Sequence, residues 1–288
     1  MKYPFGYRGE GMGIRLIALD IDGTILTSDE ELSARTRRSI RWVQEQGLHV
    51  ILATGRRVIR TLPWARALGV NDLLVVHNGA VIYDMKKEKS VLECGIDLDI
   101  ARAVIGLLED AQMNYVVYTG ESAGERLIAP EYAWKHARHL MLHYCGEVGE
   151  TVPQVDLTIP PIRISLIDRP EKVDPLYEHL VHTYGKTLNV MLFGAQHQDW
   201  HGIEVIAGRC SKGTGVAYVC ERLGIEPHEV IAIGDNVNDL EMIEWAGMGV
   251  AMENAPLVVR QAADLVAASN DQDGVAKVLE SVFSLNMG

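Results

Sequence analysis

Apolar residues in this chain fall into short unbroken runs, each stopped by a polar cluster, with stretches of helical spacing between them. Leu16 to Leu19 is the first run and has no alternating polar positions, as expected of a strand covered on both faces. It stops at Asp20-Ile21-Asp22-Gly23-Thr24. Ser33 then caps a stretch with apolar Ala34, Ile40 and Val43 that runs out near Gly47. A second run, His49 to Ala53, ends in Thr54-Gly55-Arg56-Arg57 and leads into a helical stretch closing near Gly69. The third, Leu73 to Val76, ends in His77-Asn78-Gly79-Ala80. Val81 to Tyr83 and Ser90 to Glu93 then flank a charged turn and predict a β-hairpin.

From Gly95 to about Gly202 the alternation continues, but its strand ends no longer carry clustered acids. Helices are predicted over Asp97 to Gln112, Pro130 to His143 and Glu171 to Tyr184. Strands are predicted over Tyr115 to Tyr118, Ile162 to Ile167, Leu188 to Phe193 and Ile203 to Ile206. The first pattern then returns. Ser211-Lys212-Gly213-Thr214 opens a helix with Val216, Val219, Cys220 and Leu223 on one face, closed by Gly224. Val230 to Ile233 is another buried strand, ending in Gly234-Asp235-Asn236-Val237-Asn238-Asp239 and a further helix. Met248 to Met252, Leu265 to Ala267 and a helix from about Asp273 close the chain. The expected fold is α/β, a doubly wound and mostly parallel sheet. Its core is expected over residues 14–94 and 203–288, with a separate α/β unit inserted at 95–202 and a loose tail at 1–13.

In a parallel sheet the strand ends lie along one edge, where ligands bind. Asp20 and Asp22, Thr54, Asn78, and Asp235 with Asp239 would therefore converge, and Lys212 opens the helix before the Asp235 strand. Clustered carboxylates and a lysine make a site for a hard cation and a phosphate. Taken alone, Asp-x-Asp-Gly is equally a turn that stops a strand, since Asp and Gly dominate turns.

Composition narrows the partners. The 288 residues carry a net charge of −12, which argues against nucleic acid or an anionic membrane surface, both bound mainly through basic patches. Hydrophobic content is 48% and no apolar run approaches the length of a membrane span. The segment Met1 to Gly13 reads as neither signal peptide nor anchor, and Met12 is a candidate start. Four cysteines, Cys94, Cys145, Cys210 and Cys220, lie far apart with no Cys-x-x-Cys pair, so a reduced cytoplasm is expected, with Cys210 structural. His136, His139 and His143 share a helical face, a spacing that can bind metal but is expected here to be a solvated or domain-facing stripe.

Asp20-Ile-Asp22-Gly-Thr, Thr54 after an apolar strand, Lys212, and Gly234-Asp235 with Asn238-Asp239 resemble the four motifs of the haloacid dehalogenase superfamily, in order. Thr54-Gly55-Arg56, Asn78-Gly79-Ala80, Ser211-Lys212-Gly213 and Gly249-Val-Ala-Met252 resemble its Cof-type sugar-phosphate phosphatases, which carry a large α/β cap where the insertion falls. Asp-Ile-Asp in place of the commoner Asp-Leu-Asp is a small departure, and the insertion itself matches weakly.

The resemblance implies a Mg2+-dependent phosphatase acting on a small phosphorylated metabolite, a sugar phosphate or similar monoester. Asp20 would be the nucleophile, forming an aspartyl-phosphate, and Asp22 the general acid and base. Mg2+ would be held by Asp20, the carbonyl of Asp22, and Asp235, with Asp239 in the same acidic set. Lys212 would offset charge; Thr54 and the N–H groups of Ile21, Gly23 and Thr24 would take phosphate oxygens. Asn238 and Asp239 would orient these groups, and Gly55, Arg56 and Asn78 would touch the site. A phosphomutase and a non-catalytic regulatory protein of the same fold are the alternatives, and either a monomer or a homodimer fits.

Overall fold

The computed structural model describes residues 13–121, 125–133, 149–194 and 199–283. The chain divides into two compact units, one formed by Met1–Lys89 and Ser211–Gly288, the other by Ser90–Cys210.

In the first unit, β1 (Leu16–Leu19) is fully buried and lies between β2 (His49–Leu52) and β12 (Val230–Gly234), with both pairings parallel. Leu19 is level with Leu52 on one side and Ile233 on the other, so three polar strand ends stop at one height. β13 (Met248–Ala251) and β14 (Leu265–Val266) extend the sheet beyond β12, giving the order β14-β13-β12-β1-β2. β3 (Leu73–Val76) joins beside β2 through a single parallel bridge, Ala53 to Val75, and then pairs antiparallel with β4 (Val81–Asp84). From β1 the chain winds outward to β2, and from β12 it winds the other way to β13. The order reverses between β1 and β12, and that reversal opens a crevice at their carboxyl ends.

Helices follow the predicted caps. α1 (Ala34–Glu45) starts at Ser33, whose side chain accepts from the Thr36 N–H. α2 (Val58–Leu68) stops at Gly69, whose left-handed φ of 72° terminates it. α5 (Lys212–Leu223) begins with a capping box between Ser211 and Thr214 and ends at left-handed Gly224. α6 (Leu240–Trp245), α7 (Leu257–Ala262) and α8 (Gly274–Val282) complete this unit; α8 packs on α1, where Arg35 pairs with Glu280 at 2.6 Å.

β5 (Lys89–Glu93) carries the chain into the second unit. Here β6 (Tyr115–Tyr118), β7 (Leu127–Pro130), β8 (Glu150–Val152), β9 (Arg163–Asp168), β10 (Leu188–Phe193) and β11 (His201–Ala207) form one sheet in the order β10-β11-β9-β6-β7-β8. All pairings but β7 with β8 are antiparallel. One core of this unit gathers Val104 and Leu108 of α3 (Leu98–Asp110), Val173 and Leu180 of α4 (Pro170–Tyr184), and Tyr115, Ile164 and Val205 of the sheet.

Three expectations need correction. The division at Gly202 and Ile203 cuts through β11, which pairs along its length with β10 and β9; the crossings fall at Lys89/Ser90 and Cys210/Ser211 instead. Pro130 ends strand β7 and helix follows at once over residues 131–133; the remainder of that predicted helix, with His136, His139 and His143, lies outside the described residues, as do Cys145 and the tail over residues 1–12. Cys94 and Cys210 are bonded as a disulfide across a sequence separation of 116, a pairing that no local spacing announced. Among the described residues no helix is long and apolar enough to cross a membrane.

Candidate active site

The crevice between β1 and β12 receives its chemistry from the residues just after each strand. Asp20 follows β1, is 4% exposed, and is anchored by its own N–H donating to the Ile233 carbonyl at 3.0 Å. The chain then turns: Asp22 is extended and Gly23 takes a left-handed φ of 74°. A Cβ at Gly23 would lie 2.3 Å from Asp235 Oδ2, so this turn needs glycine twice over, for conformation and for space.

Lys212, at the start of α5, reaches under the strand ends. Its Nζ donates to Asp20 Oδ1 and to Asp239 Oδ1, both at 2.6 Å, and the three side chains are buried. Asp239 is in turn fixed by two N–H groups, those of Asp235 and Asn236, each donating to its Oδ2 at 3.0 Å. The helix start is held in place by Gly79, whose φ of 89° brings its backbone against Ser211; a Cβ there would sit 1.9 Å from the Ser211 carbonyl oxygen. Asp235 accepts from Thr24 Oγ1 at 3.0 Å.

Oxygens of Asp20, Asp235 and Asp239 lie within 4.8 Å of one another. Crowding shows in their protonation. Burial pushes Asp20 well above the ordinary carboxylate range; Lys212 pulls it back down and the neighbouring acids raise it again. Burial, then Asp239, pushes Asp235 up to about 6, against the opposing pull of Lys212. For Lys212 burial works to lower the pKa, but Asp20 and Asp239 outweigh it and hold the ammonium firmly charged. One lysine thus serves three acids, a deficit of positive charge that a hard divalent cation with oxygen ligands suits.

The other predicted residues form two groups beside this centre. Arg56 makes a two-pronged ion pair with Asp22, its Nε donating to Oδ2 at 2.8 Å, and lies over the Trp64 ring at 5.9 Å. The Asp22 side chain is therefore committed to Arg56 rather than to the acidic cluster, and its expected place among the metal ligands is left to its main-chain carbonyl. Asn78, at a left-handed φ of 53°, accepts from Asn238 Nδ2 at 2.9 Å and packs against Gly55. Thr54 is 1% exposed, and its Oγ1 accepts from the Arg56 N–H at 3.1 Å. Ile21 is buried in the core behind the turn. One contact had no counterpart among the predicted residues: Asn254, beyond β13, donates through Nδ2 to the Gly23 carbonyl at 2.9 Å and reaches Asp235 Oδ2 at 3.4 Å. Its only sequence signal is an asparagine two residues past the apolar run ending at Met252.

Residues 17–279 match the family model of the haloacid dehalogenase-like hydrolases. The chain is 28% identical over 279 residues to 5-amino-6-(5-phospho-D-ribitylamino)uracil phosphatase YitU of Bacillus subtilis, covering 94% of this chain and 98% of the relative. It is 30% identical over 276 residues to a putative phosphatase of Haemophilus influenzae, covering 94% and 99%. Among solved structures, a haloacid dehalogenase-like hydrolase from Bacteroides thetaiotaomicron superposes with a TM-score of 0.77 at 28% identity, over 93% of this chain and 98% of that one. A match running through both units and every strand end of the crevice leaves one conclusion: the chain belongs to the haloacid dehalogenase-like hydrolases and is an enzyme of their Cof-type phosphatase branch.

Proposed function

We propose that this enzyme is a Mg2+-dependent phosphatase that hydrolyses a small phosphorylated metabolite, a sugar phosphate or similar monoester, through an aspartyl-phosphate on Asp20. The observation that supports it most is the Lys212 ammonium bridging Asp20 and Asp239 in a buried crevice. That contact leaves Asp20 poised at a strand end beside a second acid, Asp235, and orients the lysine through Asp239.

A carboxylate oxygen of Asp20 attacks phosphorus as the bond to the leaving oxygen breaks, and the Asp22 carboxyl gives that oxygen its proton. Water then attacks the aspartyl-phosphate and passes a proton to Asp22, and cleavage of the acyl–phosphate bond releases inorganic phosphate and restores Asp20. For this cycle Asp22 must leave Arg56 or share it with the substrate. Arg56, Thr54 and the N–H groups of Ile21, Gly23 and Thr24 are assigned to phosphate oxygens, and Asn78 with Asn238 to shaping the rim. Asp20, Asp235 and the Asp22 carbonyl are assigned to Mg2+, because Asp239 is fully buried and holds the Lys212 ammonium and two backbone N–H groups, whereas Asp235 is partly exposed and takes only neutral side-chain donors. When bound, Mg2+ supplies positive charge that offsets the repulsion between a carboxylate and a phosphate dianion.

The second unit is assigned the task of a cap that recognises the rest of the metabolite. The substrate named for the Bacillus subtilis relative, a phospho-ribitylamino compound, supports this class. The net charge of −12 supports a partner other than nucleic acid or an anionic membrane. The cytoplasm is kept as the compartment on the small number and wide spacing of the four cysteines; among the described residues, the bond between Cys94 and Cys210 is the one feature that weighs against it.

Phosphate release from several dozen phosphorylated metabolites with Mg2+, using Asp20→Asn as control, tests the assignment. Turnover should fall by more than ~10²-fold in the variant and vanish in excess EDTA. Undiminished activity in EDTA would sink it, and phosphoryl transfer to a second hydroxyl without phosphate release would make the enzyme a mutase.

A further inference from the structure

Asn254 is placed to act on the metal centre without touching it. Its amide nitrogen donates to the Gly23 carbonyl at 2.9 Å and comes within 3.4 Å of Asp235 Oδ2. Its amide oxygen accepts from the Asn270 N–H at 3.1 Å, and Asn270 in turn donates through Nδ2 to the Leu26 carbonyl at 2.9 Å. One side chain thus joins three segments: the turn after Asp20, the acid after β12, and the loop before α8. Asp235 is left with Thr24 on Oδ1 and Asn254 on Oδ2, a donor on each oxygen that fixes the plane of its carboxylate.

We propose that Asn254 is a positioning residue for Mg2+: it holds the Gly23 turn and Asp235 at a fixed separation, so that Asp20, the Asp22 carbonyl and Asp235 meet one cation. The inference rests on the metal assignment made above and extends it to a residue outside the four motifs. The steric situation at Gly23 explains the need for such a tie. The turn approaches Asp235 so closely that no Cβ fits between them, and nothing in the glycine itself can hold the carboxylate in plane. Two acids and a carbonyl repel one another when no cation is present, and a neutral amide donor opposes that spreading without competing for the metal. Partners of this kind behind metal ligands are each worth about 10–100-fold in affinity.

The test is titration of the full-length protein with MgCl2 alone, by calorimetry, with no substrate present. Asn254→Ala should weaken Mg2+ binding by about 10–100-fold. In turnover assays its half-saturating Mg2+ should rise by the same factor, with kcat at saturating Mg2+ within about threefold of the parent. Asn254 is an exposed side chain, and the metal-free melting temperature of the variant, measured alongside, confirms that it folds. Unchanged Mg2+ affinity in a folded variant would overturn the role of Asn254. Failure of the parent protein itself to bind Mg2+ would instead overturn the metal assignment, so the two failures are distinguishable.

Discussion

Replacing Lys212 by alanine should cost stability as well as catalysis. The ammonium sits 2.6 Å from carboxylate oxygens of both Asp20 and Asp239, and the lysine is 2% exposed. At an effective dielectric of about 20, each such contact is worth roughly 6 kcal/mol of attraction, much of it offset by the cost of burying the ammonium. Removing one partner of a buried ionic group typically costs about 3–5 kcal/mol, because the remaining charges stay buried. At about 2–4 °C per kcal/mol for a protein of this size, the melting temperature should fall by roughly 6–20 °C. The deficit should depend on pH with a definite sign. Lys212 is the group that pulls the Asp20 pKa down, so without it the folded-state pKa rises further above the unfolded value. The folded variant then binds more protons than the unfolded chain, and its stability is lost as pH rises through that pKa. Melting curves of parent and variant in metal-free buffer at pH 5 and pH 8 should therefore show the larger gap at pH 8, and saturating Mg2+ should narrow it. A variant melting within about 2 °C of the parent at pH 8 without metal would refute the argument, since a shift that small corresponds to less than about 1 kcal/mol, well below the cost of an unpaired buried charge.

The remaining predictions concern single groups. Asp22→Asn should impair hydrolysis of an alkyl phosphate far more than that of p-nitrophenyl phosphate, whose phenolate leaves without a proton; equal losses would leave Asp22 with no acid role. Because Asp235 is pushed up to about 6, Mg2+ must displace its proton below that pH, so apparent Mg2+ affinity should fall by at least about tenfold per pH unit there. Calorimetric titrations between pH 4.5 and 8 check this, and a flat profile contradicts it. Gly79→Ala should destabilise the chain by at least ~1–3 kcal/mol through its left-handed φ alone, with more from the clash at Ser211, read as a lower midpoint in urea.

The strand ends were legible because their signal is local: an apolar run, then a polar cluster whose partners in the sheet are fixed by parallel register. Asp20, Lys212, Asp235 and Asp239 come together for that reason. The commitment of Asp22 to Arg56 was not legible, since 34 positions separate the pair and either residue alone suits a turn. β11 has the same apolar pattern whichever unit owns it, and only its pairing with β10 and β9 decides. β8 was missed because Glu150–Val152 is short and half polar, a segment ordered by its neighbour β7 rather than by its own composition. Asn254 carries one polar group in a turn, and its meaning lies entirely in the three segments it touches.

The Cys94–Cys210 bond has a consequence for how such a chain is assembled over evolutionary time. It joins the unit's two ends, and the Cα atoms there are 7.1 Å apart. A lobe whose ends meet can be lifted out and replaced by another of different length while its host keeps continuous strands, which is the condition under which one domain is inserted into another. The span from Cys94 to Cys210 is in that sense an exchangeable cassette. Grafting the equivalent segment of a relative between residues 93 and 211 should preserve the parallel sheet and its acids while changing which metabolites the enzyme accepts.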